Sequence, residues 1–459
     1  MEKYIINSNI FREYDIRGVV EKDFDDSLVF DIGRAYGTYL VNNNFDNISV
    51  SGDIRFTTPN LKKNLIKGLV STGVSVYDLG ILPTPANYYS LFKTDVENSI
   101  QITGSHNPSE YNGFKISFNK KPFYGSSIQK LKKIIINKEF VKSKVPGLII
   151  ERNILNDYNS YLVNSFNFEN TIKVSIDCGN ASACLTAPEI FKRLGIDVNL
   201  LFCDVDSSFP NHHPDPTVDS NLKELVKQVL KTKSNLGVAF DGDADRVVVV
   251  DNLGRIIRSD ILISLFVNFI IKDKDYVVYD VKCSKALKEI ILNCGGIPIE
   301  CKTGHSIIKN KIIEYNSKIG GEMSGHIFFS DKFFGFDDAV YVSLRLIEIL
   351  SNNNIKLSDL VDAIPKYSST PEIRIDCKDD KEKEIIVSKI TNYFKAEYTY
   401  SAIDGIKVMF EKGWALIRCS NTQPVIVLRF EADTNVFLEE YIQIVKTKFK
   451  EICNFELKF

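Results

Sequence analysis

The chain is poor in the features that mark special classes of protein. It has one tryptophan, three methionines and five histidines in 459 residues. There is no excess of charge of either sign: 57 Lys+Arg stand against 59 Asp+Glu, a formal net charge of −2. A chain so near neutrality has no global basic field, which argues against general nucleic-acid binding and leaves room only for local anion pockets. Long hydrophobic runs are also missing. The best candidate, Ile261 to Ile271, is broken by Ser264 and Asn268. A membrane span needs about 20 apolar residues, so this reads as a buried helix and no membrane is expected. The start, Met1-Glu2-Lys3-Tyr4-Ile5-Ile6-Asn7, shows no basic region followed by an apolar core, so no secretory signal is read. The nine cysteines form no Cys-x-x-Cys pair. They read as reduced thiols of a cytoplasmic protein.

What is present is the composition of a folded enzyme-sized chain, with 44% hydrophobic and 25% charged residues. At ~150 residues per domain, the length predicts three to four domains. Apolar β-rich runs alternate with helical patterns and restart twice. Strands are predicted at 48–51, 75–77 and 99–102 with a helix at 60–70. The next round has strands at 173–176, 198–201 and 236–240 with helices at 187–194 and 221–230. The third has helices at 260–271 and 284–292 and strands at 276–279 and 297–300. Such alternation builds α/β units on mostly parallel sheets. Lys366 to Pro371 reads as a linker. Beyond it, helices at 381–394 and 437–452 and strands at 407–410, 414–418 and 425–430 form a smaller α+β domain. The expected division is 1–150, 151–255, 256–368 and 369–459.

Four motifs carry chemistry. Asp241-Gly242-Asp243-Ala244-Asp245-Arg246 follows the apolar strand ending at Phe240, where open α/β sheets place their ligands. Three alternate carboxylates can turn toward one point. Their mutual repulsion raises their pKa values or calls for a cation, and a hard ion such as Mg²⁺ suits oxygen ligands. A calcium loop of the EF-hand kind needs Gly at its sixth position and Glu at its twelfth. Arg246 and Asn252 stand there. The bland alternative is a solvated acidic turn. Thr103-Gly104-Ser105-His106-Asn107-Pro108 follows the strand ending at Ile102. It is not a hydrolase elbow, since G-x-S-x-G would need Gly at 103 and 107. Taken alone, Ser105 reads as a structural turn residue, and His106, its chain neighbour, is poorly placed as its base. Lys115 could serve as acid or base, although a lone strand lysine more often lies at a solvated edge.

Gly321-Glu322-Met323-Ser324-Gly325-His326 places an acceptor, a hydroxyl and an imidazole at alternate positions. That set suits a polyhydroxylated ligand, or is simply a polar loop. Arg418-Cys419-Ser420-Asn421-Thr422 can cradle a phosphate, or be an Asx or Ser/Thr turn between strands.

With these motifs in this order, the chain resembles the α-D-phosphohexomutase superfamily, and most closely its bacterial phosphomannomutase/phosphoglucomutase branch. The resemblance covers nearly the whole chain. Tyr14-Asp15-Ile16-Arg17-Gly18, Phe209 to Pro216, Asp280-Val281-Lys282, Lys302 to Ser306 and Gly335-Phe336-Asp337-Asp338 add to it. It implies three similar α/β domains with mostly parallel mixed sheets and a small C-terminal α+β domain around a central cleft. It implies that Ser105 is the phosphorylated serine, and that Asp241, Asp243 and Asp245, with a phosphoserine oxygen of Ser105, hold Mg²⁺. Glu322, Ser324 and His326 would grip sugar hydroxyls. Arg418, Ser420, Asn421 and Thr422 would hold the non-reacting phosphate. Tyr14, Arg17, Lys115, Arg246, Lys282 and His305 would line the cleft.

The implied reaction interconverts hexose 1- and 6-phosphates of mannose or glucose. It runs through a phosphoserine enzyme and a glucose or mannose 1,6-bisphosphate that also serves as activator. Lys115, Arg246 and His305 are candidates for moving protons, with arginine the weakest base of the three. A phosphosugar is the expected partner, on a monomer or weak homo-oligomer. Two stretches depart from the pattern of relatives: Ser51-Gly52-Asp53-Ile54-Arg55 keeps Asp53 and Arg55 but lacks an arginine, and Thr57-Thr58 stand where serines are common. Both bear on the support of the serine loop. Rival readings are a phosphoglucosamine mutase, where Met323 would be Gln, a metal-dependent sugar phosphatase, and a non-catalytic sugar-phosphate sensor.

Overall fold

Leu236–Phe240 is an unbroken apolar strand, and in the computed structural model of the protein every one of its residues is buried. It pairs in parallel with Lys173–Asp177 and antiparallel with Val247–Asp251. Asp197–Leu201 and Ile256–Ile257 complete a five-stranded sheet. A strand buried on both faces reads as a continuous apolar run, which is why this one is legible to the residue. The structure describes residues 7–420 and 423–459. Residues 1–6, on which the reading of the chain start rests, lie outside them, as do Asn421 and Thr422. Among the described residues, no helix is long and apolar enough to cross a membrane, and all nine cysteines are free thiols.

The described chain divides into two units, one running up to Leu262 and including Ser324–Val361, the other made of Ile263–Met323 and Asp362–Phe459. The first unit holds two mixed sheets. One is the five-stranded sheet above. The other has seven strands, with Asn47–Gly52 at its centre between Ser99–Ile102 and Ser75–Ile81, both parallel to it. Tyr111–Phe118 then runs antiparallel to Ser99–Ile102 and opposes Lys115 to Gln101. Helix Asp26–Asn42 starts where the Asp25 side chain accepts from the Leu28 N–H at 2.7 Å. Its apolar face buries Val29, Ile32 and Tyr36 in the core of this sheet.

In the second unit, Tyr276–Asp280 pairs in parallel with Ile297–Cys301 and Ile319–Gly321. The last ninety residues form an antiparallel sheet led by Ile406–Phe410, Gly413–Cys419 and Val425–Ala432. Helices Asp380–Glu397 and Asn435–Cys453 bury Ile390, Phe394, Val445 and Phe449 in its core. Two local readings need correction. Ser368–Ser369, inside the supposed linker, is a short strand that pairs antiparallel with Glu431 and Ala432. Its partner lies some sixty residues away and leaves no local trace. The helix read at 221–230 begins later, at Lys223–Thr232, after a 3-10 turn at Asp219–Leu222. Asp219, Ser220 and Asn221 favour such turns because their side chains compete for backbone groups.

Helix Ala339–Asn353 is capped by Asp338, whose carboxylate accepts from the Tyr341 N–H at 2.9 Å and from the Tyr158 hydroxyl at 2.9 Å. Burial pushes the Asp338 carboxyl up to about 7 despite both hydrogen bonds. The folded state therefore keeps a proton that the unfolded chain has released above about pH 4. The stability this proton supplies is complete below pH 4 and is lost as pH rises to 7. Asp338→Asn keeps the cap and removes the charge. Its melting temperature is expected to match the parent at pH 4 and exceed it at pH 8 by several degrees, at about 2–4 °C per kcal/mol. Thermal melts across this range check it. Equal melting temperatures at pH 8 would refute it.

Candidate active site

The serine loop leaves strand Ser99–Ile102 and is held by its main chain. The buried Arg55 guanidinium donates to the carbonyls of Ser105 at 2.7 Å, Asn107 at 2.6 Å, Pro108 at 2.6 Å and Tyr111 at 3.1 Å. Asp53 orients that guanidinium through its Nε at 3.2 Å, accepts from the Gly104 N–H at 3.2 Å, and is itself held by Thr58 Oγ1 at 2.7 Å. The stretches that depart from the pattern of relatives thus form a complete brace. Ser105 has φ +48°, a left-handed conformation uncommon for a residue with a side chain and typical of functional turns. Its N–H donates to Thr103 Oγ1 at 2.8 Å, and its Oγ reaches Asp241 Oδ2 at 3.0 Å.

The acidic loop joins Phe240 to Val247 and packs directly on the serine loop. A Cβ at Gly242 would stand 2.2 Å from the Ser105 carbonyl oxygen, so only glycine permits this approach. Asp241, Asp243 and Asp245 are all buried, which rejects the solvated turn. Asp241 Oδ1 accepts from the N–H groups of Asp245 at 3.1 Å and Arg246 at 3.2 Å. Lys115 is no solvated edge residue. It is buried, and its Nζ donates to Asp243 Oδ2 at 2.6 Å and Asp245 Oδ2 at 2.5 Å. Thr84 Oγ1 also donates to Asp243 Oδ2, at 2.5 Å.

Charge is finely balanced in this loop. Burial, then Asp245 and Asp243, push the Asp241 carboxyl well above the usual carboxylate range. Burial pushes Asp243 the same way, but Lys115 outweighs it and holds Asp243 below that range. Burial alone would lower Lys115, yet Asp243, Asp245 and Asp241 carry it above the usual lysine range. Lys115, and Arg246 Nε at 3.7 Å from Asp241 Oδ2, offset only part of the charge of three buried carboxylates. The site accommodates a further cation: the three aspartates each offer an oxygen within 4.8 Å of the others. Asp243 Oδ1 and Asp245 Oδ1 are buried and make no hydrogen bond to any described group. An all-oxygen set of this kind suits a hard divalent ion.

Around this core the structure gathers further predicted residues. Arg246 Nε donates to His326 Nε2 at 2.9 Å, so that ring nitrogen is the acceptor. His326 Nδ1 lies 2.8 Å from Asp337 Oδ2 and 3.5 Å from Asp245 Oδ1. Arg17 reaches Asn107 Oδ1 at 3.4 Å and pairs with Asp15. Tyr14 is half-buried. Sequence reasoning passed over His106, whose Nδ1 is 3.3 Å from Ser105 Oγ. Burial, then Arg246 and Arg17, lower its pKa well below the usual histidine value, so it is neutral. Thr84 and Asp337 were missed as partners too. Only Asp337, inside the Gly335–Asp338 stretch, had a signal that could have found it.

The other predicted residues, Ser324 apart, belong to the second unit. The division falls inside the Gly321–His326 loop, between Met323 and Ser324. Glu322 is buried and accepts from the Gly304 N–H, next to the half-buried His305. Lys282 is buried and pairs with Glu372 at 3.1 Å. Burial opposes its charge, but Glu372 and Asp280 raise its pKa. Arg418 and Ser420 are buried, and Arg418 Nε pairs with Asp404 at 2.8 Å. Ser324 is half-buried in the first unit.

Comparison with known proteins decides the family. Four segments match phosphoglucomutase/phosphomannomutase: alpha/beta/alpha domain I over residues 8–142, domain II over 156–254, domain III over 258–367 and the C-terminal domain over 372–447. The chain belongs to the phosphoglucomutase/phosphomannomutase family. The family's three similar α/β domains and C-terminal domain account for both units. Among relatives, a phosphomannomutase/phosphoglucomutase of Pseudomonas syringae pv. tomato is 41% identical over 98% of this chain and 97% of its own. A phosphoglucomutase of Neisseria gonorrhoeae is 37% identical over 97% of each chain. The crystal structure of a phosphoglucomutase/phosphomannomutase family protein from Burkholderia thailandensis has a TM-score of 0.91, 35% identity and 99% coverage of both chains. Membership makes this chain a mutase of the isomerase class.

Proposed function

We propose that this protein is a phosphohexomutase that interconverts the 1- and 6-phosphates of mannose or glucose, with Ser105 as the phosphoryl carrier. The observation that carries the reading is the 3.0 Å approach of Ser105 Oγ to Asp241 inside a buried aspartate cluster already countered by Lys115. Phosphorylated Ser105 donates its phosphoryl group to the free hydroxyl of a hexose monophosphate. The resulting 1,6-bisphosphate turns end for end, and its other phosphoryl group returns to Ser105. Asp241, Asp243 and Asp245 would hold Mg²⁺, which supplies neutralisation of charge on the transferring group. Lys115 and Arg246 add fixed positive charge at the same place. Lys115, an ammonium held beside Asp243 and Asp245, is the group we assign to return a proton to the seryl oxygen.

Of the three candidates for moving protons, His305 is the one we assign as base, and Glu322, Ser324 and His326 are the proposed sugar-binding groups. Arg418 and Ser420, with Asn421 and Thr422, take the non-reacting phosphate, beside Lys282. Tyr14 and Arg17 complete the binding residues. The division at 1–150, 151–255, 256–368 and 369–459 is proposed with it, supported by the four family segments.

Incubation with glucose 1-phosphate or mannose 1-phosphate, Mg²⁺ and a trace of glucose 1,6-bisphosphate tests the reading. Formation of the 6-phosphate supports it. Release of inorganic phosphate alone would mark a phosphatase, and no turnover a sensor. Two variants extend the test. Asp243→Asn removes one charged ligand and is expected to weaken Mg²⁺ binding about tenfold, with the rate falling in parallel. Unchanged metal titration and rate would remove Asp243 from the site. Arg418→Ala is expected to raise KM for both isomers, because each phosphate occupies the cradle in one half of the cycle. A variant impaired with one isomer alone would contradict the shared cradle.

A further inference from the structure

Arg418 lies on strand Gly413–Cys419 of the antiparallel sheet, with Cys419 opposite Ile426 and Arg418 opposite Val427. Its guanidinium has three nitrogens. Among the described residues, its Nε donates to Asp404 Oδ2 at 2.8 Å. A guanidinium anchored through Nε keeps its two terminal nitrogens in a fixed plane. That edge binds two phosphate oxygens at once. An unanchored arginine would have to give up side-chain freedom on each binding event.

The position of Asp404 is built into the backbone. The turn into strand Ile406–Phe410 passes through Gly405 at φ +70°, where a Cβ would stand 2.3 Å from the Ile417 carbonyl oxygen and 2.7 Å from the Arg418 Cα. The chain can press onto the Arg418 strand only because this residue is glycine. That close approach seats the neighbouring carboxylate against the guanidinium. Both side chains are largely removed from water, at 6% exposure for Arg418 and 11% for Asp404, so the pair is less screened than a surface pair. The same Asp404 Oδ2 accepts a second hydrogen bond, from the Thr303 N–H at 3.2 Å. Thr303 also donates its hydroxyl to Asp280 at 3.1 Å. It lies two residues before His305. One carboxylate oxygen thus ties the arginine of the phosphate cradle to the loop that leads into helix His305–Tyr315.

We infer that Asp404 is a positioning residue: it holds Arg418 in the orientation that receives the non-reacting phosphate, and registers to it the Lys302–Gly304 loop that leads into the helix starting at His305. This rests on the assignment of Arg418 to the phosphate cradle. Asp404 Oδ2 is occupied by Arg418 and Thr303, so its removal acts on binding through Arg418, and by the shared-cradle scheme it acts on both isomers alike. Loss of a charge-assisted hydrogen bond of this kind corresponds to about a tenfold to hundredfold loss of affinity.

The test is steady-state kinetics with glucose 1-phosphate and glucose 6-phosphate on full-length Asp404→Ala, Asp404→Asn, Arg418→Ala and the Asp404→Ala/Arg418→Ala double variant, with melting temperatures alongside. Asp404→Ala is expected to raise KM at least tenfold for both substrates, with a much smaller fall in kcat. Asp404→Asn keeps an acceptor for Nε and is expected to recover part of the KM while folding like the parent. The double variant is expected to match Arg418→Ala, since two residues acting as one unit are not additive. If Arg418→Ala leaves KM unchanged, the cradle assignment itself falls. If Arg418→Ala raises KM but both Asp404 variants leave it at the parent value, or their effects add to that of Arg418→Ala, the positioning role of Asp404 is overturned. A fall in kcat and melting temperature without a change in KM in Asp404→Asn would overturn it as well.

Discussion

Ser105→Ala is expected to abolish mutase turnover, with a loss of several orders of magnitude, about 10⁴-fold or more, as befits removal of the group that forms the covalent intermediate. The fold is expected to survive. The loop is held by atoms the substitution leaves in place: the carbonyls of Ser105, Asn107, Pro108 and Tyr111 on Arg55, and the Ser105 N–H on Thr103. What disappears is one hydroxyl, its bond to Asp241 and its contact with His106. Intact-mass spectrometry after incubation with the bisphosphate should find one phosphate on the parent and none on the variant. Circular dichroism and melting temperature should differ little. A variant that turns over at near-normal rate would remove Ser105 from the mechanism. A phosphate still present on it would place the carrier on another residue.

How far the site was legible depends on whether a feature is local. Ser99–Ile102 and Leu236–Phe240 could be read to the residue, because the first alternates polar and apolar residues, the second is a short apolar run, and both are ended by glycine-bearing polar loops. The serine and acidic loops follow from them, since a loop after a strand's C-terminal end is where α/β sheets present ligands. What brings the two loops together is not local. Lys115 reaches Asp243 and Asp245 because the antiparallel register sets it opposite Gln101 on the strand that feeds the serine loop. Register is a property of the pair of strands and not of either segment. The Arg55 brace was visible only as a pair of kept residues whose work the sequence left unstated. Thr84 begins a helix far from any motif, yet its hydroxyl meets Asp243. His106 was set aside because it neighbours Ser105, and the left-handed turn at Ser105 is what swings the imidazole toward the hydroxyl.

The buried lysine provides the second large effect, and one that separates charge from chemistry. Lys115→Met keeps the length and most of the apolar stem, and removes the ammonium that two carboxylates share. Activity is expected to fall to background, since the variant loses both a fixed cation beside the phosphoryl group and the proposed proton donor. Stability should fall too. Leaving one side of a buried ion pair uncompensated costs about 3–5 kcal/mol, which at roughly 2–4 °C per kcal/mol is a drop in melting temperature on the order of 10 °C in the presence of EDTA. The pH dependence follows from the sign of the change. Without Lys115, the burial that it now outweighs is left to push the Asp243 carboxyl above the unfolded carboxylate value. The variant should then be closest to the parent below about pH 4 and lose ground as pH rises. Mg²⁺ should reverse much of the loss, because an ion that binds only the folded state stabilises it by mass action and replaces the missing charge at the same oxygens. The variant is therefore expected to gain more from saturating Mg²⁺ than the parent does. Differential scanning fluorimetry of both proteins, in EDTA and in Mg²⁺ at pH 4, 6 and 8, measures every term. If the variant melts with the parent in EDTA at pH 8, the ion pairs of Lys115 do not hold the acidic loop together. If Mg²⁺ stabilises the two proteins equally, the lysine and the metal do not share these carboxylates.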